Sequence, residues 1–270
     1  MVNAVTGYFF TQQSIEGNRI ADLCWGTSNA KYAVFRCAIS WYYSLSLPTT
    51  IGISIRNNPV THSIVWSVPI TVPYTWAEYT FVVPPCTVGT WATDNSAAML
   101  INFSPVLGSN YKTATSGSWV AGNFLGTTAV PNSNSYNALR IADIGLYADP
   151  NMTGVAPEFQ VPNYEDDLQD CLRYWYKAYR MDGVVNTTTA PIVWMSHYVP
   201  MRATPARTLV GNVRLHDISV APNITSITNY NSNEFAHSLS ATASGFTLGR
   251  PVRTLVDGQT ANYIAVSARM

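Results

Sequence analysis

Histidine, cysteine and carboxylate side chains are the first to weigh for chemistry, and their spacing is unpromising. The four histidines, His62, His197, His216 and His237, lie far apart. A zinc site written locally pairs its ligands as in HExxH, and no such pattern occurs. The cysteines Cys24, Cys37, Cys86 and Cys171 have no CxxC or metal-ligand spacing. They read as buried free thiols of a protein made in a reducing cytosol. No GxSxG, P-loop or GxGxxG is present. Glycoside cleavage needs two carboxyl groups flanking one bond. The candidates are Asp94 beside Asn95 and the trio Glu165, Asp166 and Asp167. The first is turn chemistry and the trio is the negative start of a helix. Isolated carboxylates such as Asp94 or Asp143 do not make a calcium site. The sequence therefore predicts no catalytic residue, no metal and no cofactor.

Aromatic side chains are the remaining chemistry-bearing class, with 8 Trp and 16 Tyr. Trp41, Tyr42 and Tyr43 cannot all face one way in a strand, so at least one must leave the inner face. Tyr111 and Trp119 lie in a polar, Gly- and Asn-rich segment from Ser109 to Asn137. Flanking Ser, Thr, Gly and Asn predict exposure, which makes these two the candidates for stacking on a sugar. Against that, aromatic residues in β-sandwiches usually fill a core or an interface.

The elements that must position these residues are mostly strands. Through residue 160, KYAVFRCAISWYYSL, TTIGISIRN, HSIVWSVPITV, AEYTFVVP, AAMLINFSPVLG and NALRIADIGLYAD are β-branched and aromatic runs separated by turns. Ile51, Ile53 and Ile55 alternate with Gly52, Ser54 and Arg56, which predicts one buried and one wet face. The reading is a two-sheet β-sandwich, a jelly roll, over residues 1–160. The stretch Asn163 to Arg180, NYEDDLQDCLRYWYKAYR, predicts the one helix, with Asn163 as cap, acid in its first turn and Arg173, Lys177 and Arg180 in its last. Leu168, Leu172, Trp175 and Tyr179 then share a face. That face packs on its own chain or on other subunits. Residues 161–180 are expected as linker and helix, and 181–270 as a smaller C-terminal β domain, in which APIVWMSHYVPMRATPARTLV is a strand pair or a bent strand.

Composition narrows the partners. Charged residues are 11% against the roughly 25% of ordinary globular proteins, while 47% are hydrophobic. A surface so poor in charge must be covered by small polar side chains, by Tyr, or by other subunits. Fifteen basic residues balance fifteen acidic ones, so nothing calls for nucleic acid or an anionic membrane. No apolar run is long enough for a membrane span, and no basic-then-apolar leader is seen.

Three stretches carry a resemblance: EGNRIADLCWGTSNAKYAVFRCAISW, TWAEYTFVVPPCTVGTWATDNSAAMLINF with YKTATSGSWVAGNFLG, and IADIGLYADPNMTGVAPEFQVPNYEDDLQDCLRYWYKAY. They resemble a family of tailed-phage and prophage fibre, spike or virion-decoration proteins, in which a carbohydrate-binding-module-like jelly roll leads into an ELxxCQRYY helix and a C-terminal β domain. The helix motif falls on Asp167, Leu168, Cys171, Leu172, Arg173, Tyr174 and Trp175, with Leu172 and Trp175 departing from it. Residues 200–206, PMRATPA, and 244–246, SGF, are similar to the family's last domain.

The resemblance implies a non-enzymatic virion protein, made in the bacterial cytoplasm, trimeric, bound to capsid or tail proteins, with host surface polysaccharide as a ligand. Leu168, Leu172, Trp175 and Tyr179 become its expected trimer interface. The competing classes are a soluble carbohydrate-binding module and, behind it, a glycan-cleaving enzyme. Family members carry further strands before the EGxxVADLxWG element, whereas MVNAVTGYFFTQQS alone precedes it here. If GYFFTQQS is not a strand, a neighbouring chain is expected to fill that edge.

Overall fold

A computed structural model describes residues 5–42, 49–132, 139–161, 163–217, 220–232, 236–255 and 262–268. Tyr43 and the side chain of His237 lie outside the described residues. The protein is mainly β, with 47% of residues in strands and 8% helical. Its contacts divide it into two compact units, Met1–Gln160 and Val161–Met270.

The first unit holds β1 (Tyr8–Glu16), β2 (Ala33–Trp41), β3 (Thr49–Asn57), β4 (His62–Ile70), β5 (Ala77–Val83), β6 (Ala97–Leu107), the two-residue strands β7 (Lys112–Thr113), β8 (Val120–Ala121) and β9 (Gly126–Thr127), and β10 (Leu139–Ala148). Two sheets, ordered β1-β6-β3-β4-β8 and β10-β2-β5, enclose one core in a sandwich-like arrangement. Register explains why. Ile53 pairs with Trp66 of β4 and Phe103 of β6, so large apolar side chains run in rows across three strands on one face. Phe35, Ile39 and Trp41 of β2 meet them from the other sheet. Each such fully buried side chain contributes on the order of 1.5–3 kcal/mol.

The segment GYFFTQQS, whose state decides the edge, is strand from Tyr8 onward. β1 pairs antiparallel with β6 from Tyr8↔Leu107 to Glu16↔Ala97. The chain itself fills that edge of β6, so strand addition there by a neighbour is overturned.

The expected wet face of β3 is also corrected. Ser54 and Arg56 are buried beneath a strap, residues 109–131, that crosses the outward face of the five-stranded sheet. The strap is fixed by Ser63 Oγ, which donates to Gly122 O and accepts from Phe124 N, and by a hydroxyl pair between Ser67 and Thr127. Gly52 permits the approach, since a Cβ there would stand 2.8 Å from Leu125 O. Alternation marked the two faces of β3 correctly but could not say that the polar one is covered.

The second unit begins with α1 (Tyr164–Leu172) and continues with β11 (Trp175–Ala178), β12 (Asp182–Val184), β13 (Ile192–Ser196), β14 (Ala206–Val210), β15 (Arg214–His216), β16 (Ser226–Ser232), β17 (Ala236–Thr242), β18 (Pro251–Leu255) and β19 (Tyr263–Ser267). Among the described residues its sheets run β11-β19-β14 and β15-β18-β12-β13-β17-β16. Both line a separate core that includes Tyr176, Val193, Leu215, Leu239 and Val266.

The helix is half the expected length. Asn163 caps it, its Oδ1 accepting from Glu165 N at 3.2 Å, and Glu165–Asp167 occupy its first turn as read. It stops at Leu172 because the next residues pair elsewhere: Ala268 N donates to Tyr174 O, and Trp175–Ala178 ladder with Ser267–Ile264 of β19. Residues 161–180 thus lie within the second unit as helix plus strand.

Candidate ligand-binding surfaces

The two residues expected to be exposed platforms are only half exposed, and both are packed. Tyr111 lies against the small cluster of Leu107, Leu125 and Val130 and makes an edge contact with Tyr8 at 4.7 Å. Trp119 packs on the first core and donates its Nε1 to Pro84 O at 2.8 Å. The strap that carries them is polar because it must satisfy the sheet beneath it.

Trp119 belongs to a group of three indoles. Trp25, Trp91 and Trp119 meet edge to face with centroids 5.0, 5.4 and 5.6 Å apart. Each indole N–H is taken by a main-chain carbonyl: Trp25 by Lys31 O, Trp91 by Val88 O and Trp119 by Pro84 O. Gly26, at φ 84°, admits Trp91, since a Cβ there would lie 2.9 Å from its Cδ1. An apolar cleft of about 290 Å³ opens beside Trp25 and Trp91.

A second aromatic group is exposed, and the sequence reading passed over it. Between β4 and β5 the chain turns through Pro73, Tyr74, Thr75 and Trp76, leaving Tyr74 58% and Trp76 49% exposed. Tyr74 sits at φ 60°, a region that costs a non-glycine residue about 1–2 kcal/mol. Its amide donates to Trp41 O at 2.7 Å, and its ring meets Tyr42 edge-on at 5.3 Å. The exposed Arg140 guanidinium lies over Tyr42, 4.3 Å from the ring centroid. Aromatic rings beside a guanidinium can stack on the C–H face of a sugar and donate to its hydroxyls or acids. The legible signal was a Pro-aromatic turn between two strand runs.

The four residues expected to share a helix face do not. Leu168 is exposed on α1, and Leu172 packs against the second core. Trp175 and Tyr179 fall in and just after β11, where a spacing of four also keeps one face. There Lys177 Nζ lies 5.9 Å from the Trp175 ring and 4.6 Å from that of Tyr263, which in turn meets Tyr179 at 6.2 Å. They form an aromatic and cationic row on the outward face of β11 and β19.

The acidic candidates are structural. Asp94 Oδ1 accepts from Ser96 N and Ser96 Oγ, closing a turn. Asp143 sits at φ 51° within the irregular pairing of β10. Asp149, buried, receives Thr153 N, Thr153 Oγ1 and Gly154 N, and these backbone donors hold its carboxyl below the ordinary 3.8. Nearest to an acid–base pair is Tyr176, whose hydroxyl is 2.5 Å from His197 Nδ1. Burial pushes that phenol up from its ordinary 10, which favours its neutral form. Among the described residues no three His, Cys, Asp or Glu converge as metal ligands, and no helix is long and apolar enough to cross a membrane.

No protein-family model matches the chain, and no curated protein matches it.

Proposed function

We propose that this chain is a non-enzymatic structural subunit of a tailed-phage virion, a fibre, spike or decoration protein, whose first unit binds host surface glycan. The observation that carries the attachment role is the exposed Tyr74 against Tyr42 and its overlying Arg140, with the exposed Trp76 two residues further along the same turn. In this reading the sandwich-like unit is a jelly roll of the carbohydrate-binding-module type. The virion role rests on the resemblance of the three stretches quoted above and is supported by the apolar surface of the second unit. Tyr164, Leu168, Tyr179, Trp194, Tyr198 and Leu248 are all exposed there. A chain with only 11% charged residues leaves such groups for other subunits to cover, and the homotrimer with its capsid or tail partner is that cover.

Binding of the purified chain to immobilised bacterial surface polysaccharides tests the attachment role. A ligand bound by the wild type should be held roughly tenfold more weakly by Trp76→Ala or Tyr74→Ala, a loss of about 1.4 kcal/mol. No reducing ends should be released on prolonged incubation. Unchanged binding in both variants would remove the patch from the account, and sustained release of reducing ends would make the protein an enzyme.

A further inference from the structure

We infer that the cleft beside Trp25 and Trp91 is a second, separate sugar site, shaped for one terminal pyranose that carries a methyl group, as an N-acetyl or a 6-deoxy substituent. This rests on the glycan-binding reading above and adds a distinct site and a ligand class to it.

Size comes first. At about 290 Å³ the cleft is at the small end of ligand pockets, room for one ring and not for a run of polysaccharide. Chemistry narrows it further. Most of the lining is carbon, from Ile20, Trp25, Trp91 and Ala92, and the Cys24 thiol beside them donates to Asp22 O at 3.6 Å. Both indoles have already given their N–H to Lys31 O and Val88 O, so they offer a ligand only ring carbon. Thr27 is likewise committed, its Oγ1 donating to Cys24 O at 2.7 Å and accepting from Asn29 N at 3.1 Å. What remains polar lies at the exposed mouth: the Asn29 carboxamide and the Thr93 hydroxyl, both without a side-chain partner among the described residues.

An apolar floor with an amide and a hydroxyl at its lip fits an amphipathic ligand that enters methyl first and keeps its hydroxyls outside. A plain hexose would bury a polar hydroxymethyl or hydroxyl group against the indoles with nothing to bond it. A methyl-bearing sugar meets no such penalty. The cleft is also held open by its own frame, since the three indoles brace one another and Gly26 leaves room for Trp91. Little ordering is then left for the ligand to impose.

The experiment is a tryptophan-fluorescence titration of the full chain with methyl glycosides of N-acetylglucosamine, fucose and glucose. Expected is saturable quenching by one or both methyl-bearing sugars, at least about tenfold tighter than by glucose, the discrimination that one methyl in an apolar pocket supplies. The two methyl-bearing glycosides separate the N-acetyl from the 6-deoxy class. Asn29→Ala and Thr93→Val, surface changes that leave the core intact, should each weaken binding several-fold, and Trp91→Ala should abolish it. Trp76→Ala should leave it unchanged. Equal binding of glucose, or binding indifferent to Asn29→Ala, Thr93→Val and Trp91→Ala, overturns the site. Absence of monosaccharide binding overturns it too. If polysaccharide is still bound through Trp76, the glycan-binding reading stands without the cleft; if no polysaccharide binds either, both fall.

Discussion

At the scale of single residues, the least expected feature is Arg56. It is 4% exposed, yet its partners are three side-chain amides: Nη2 donates to Asn102 Oδ1 at 3.0 Å and to Gln12 Oε1 at 3.1 Å, and Nη1 to Asn123 Oδ1. Burial lowers it to about 10, still charged at neutral pH. It ties β1, β6 and the strap to β3 through one planar group. Arg56→Met should therefore cost about 1–3 kcal/mol for the buried Asn102 Oδ1 left without this donor, read as a fall in the urea midpoint. Asp149 gives a pH signature. Its folded pKa is depressed, so its contribution is present above the ordinary 3.8 and is lost as pH falls through the lower folded value. Urea midpoints from pH 6 down to 2 should show Asp149→Asn below wild type at the upper end and converging with it at the lower. A constant gap would contradict the assignment. The cysteines divide by burial. Burial pushes the Cys37 thiol up to about 12 and raises Cys86, whereas Cys171 is exposed and Cys24 half-buried. An aromatic disulfide reagent should label Cys171 first in the native protein and reach Cys37 and Cys86 only on unfolding.

At the scale of elements, α1 and β11 show what a sequence can and cannot specify. The start of the helix was legible in Asn163 and Glu165–Asp167, because a cap and its acids act locally. Asn163→Ala should cost about 0.5–2 kcal/mol in the denaturation of the second unit. Its end was not legible. A spacing of four places Trp175 and Tyr179 on one side of a helix or of a strand alike, so the period could not choose. The choice is made by β19, nearly ninety residues downstream, through its ladder with Trp175–Ala178. A similar non-local cause hid the strap. Ser54 and Arg56 read as solvent-facing because strand alternation reports polarity, not cover. The strands themselves were legible because β-branched and aromatic runs between turns mark them without reference to partners. The exposed patch was missed for the opposite reason. Tyr74 and Trp76 fall between the runs HSIVWSVPITV and AEYTFVVP, and exposure is expected only in the polar segment 109–137, although the proline before them and the turn they occupy place them outside the sheet.

At the scale of the whole molecule, each unit has its own core and its own sheets, with contacts concentrated within Met1–Gln160 and within Val161–Met270. Residues 1–160 expressed alone should unfold in one cooperative step and keep any binding that depends on Trp76. In the proposed role, assembly is assigned instead to the second unit, where Tyr164, Trp194, Tyr198 and Leu248 are exposed. In a cyclic trimer each of these patches would meet a different surface of the next subunit around the ring. Replacing Trp194 by Ser should weaken such an assembly without touching the core that Val193 helps to form. The most direct test of the structural-subunit role is the solution mass of the intact chain, measured by light scattering near neutral pH across a range of concentrations. A stable mass near three times 29.6 kDa, unchanged on dilution, is expected. A monomer that persists at high concentration would contradict it and leave a free carbohydrate-binding module in its place.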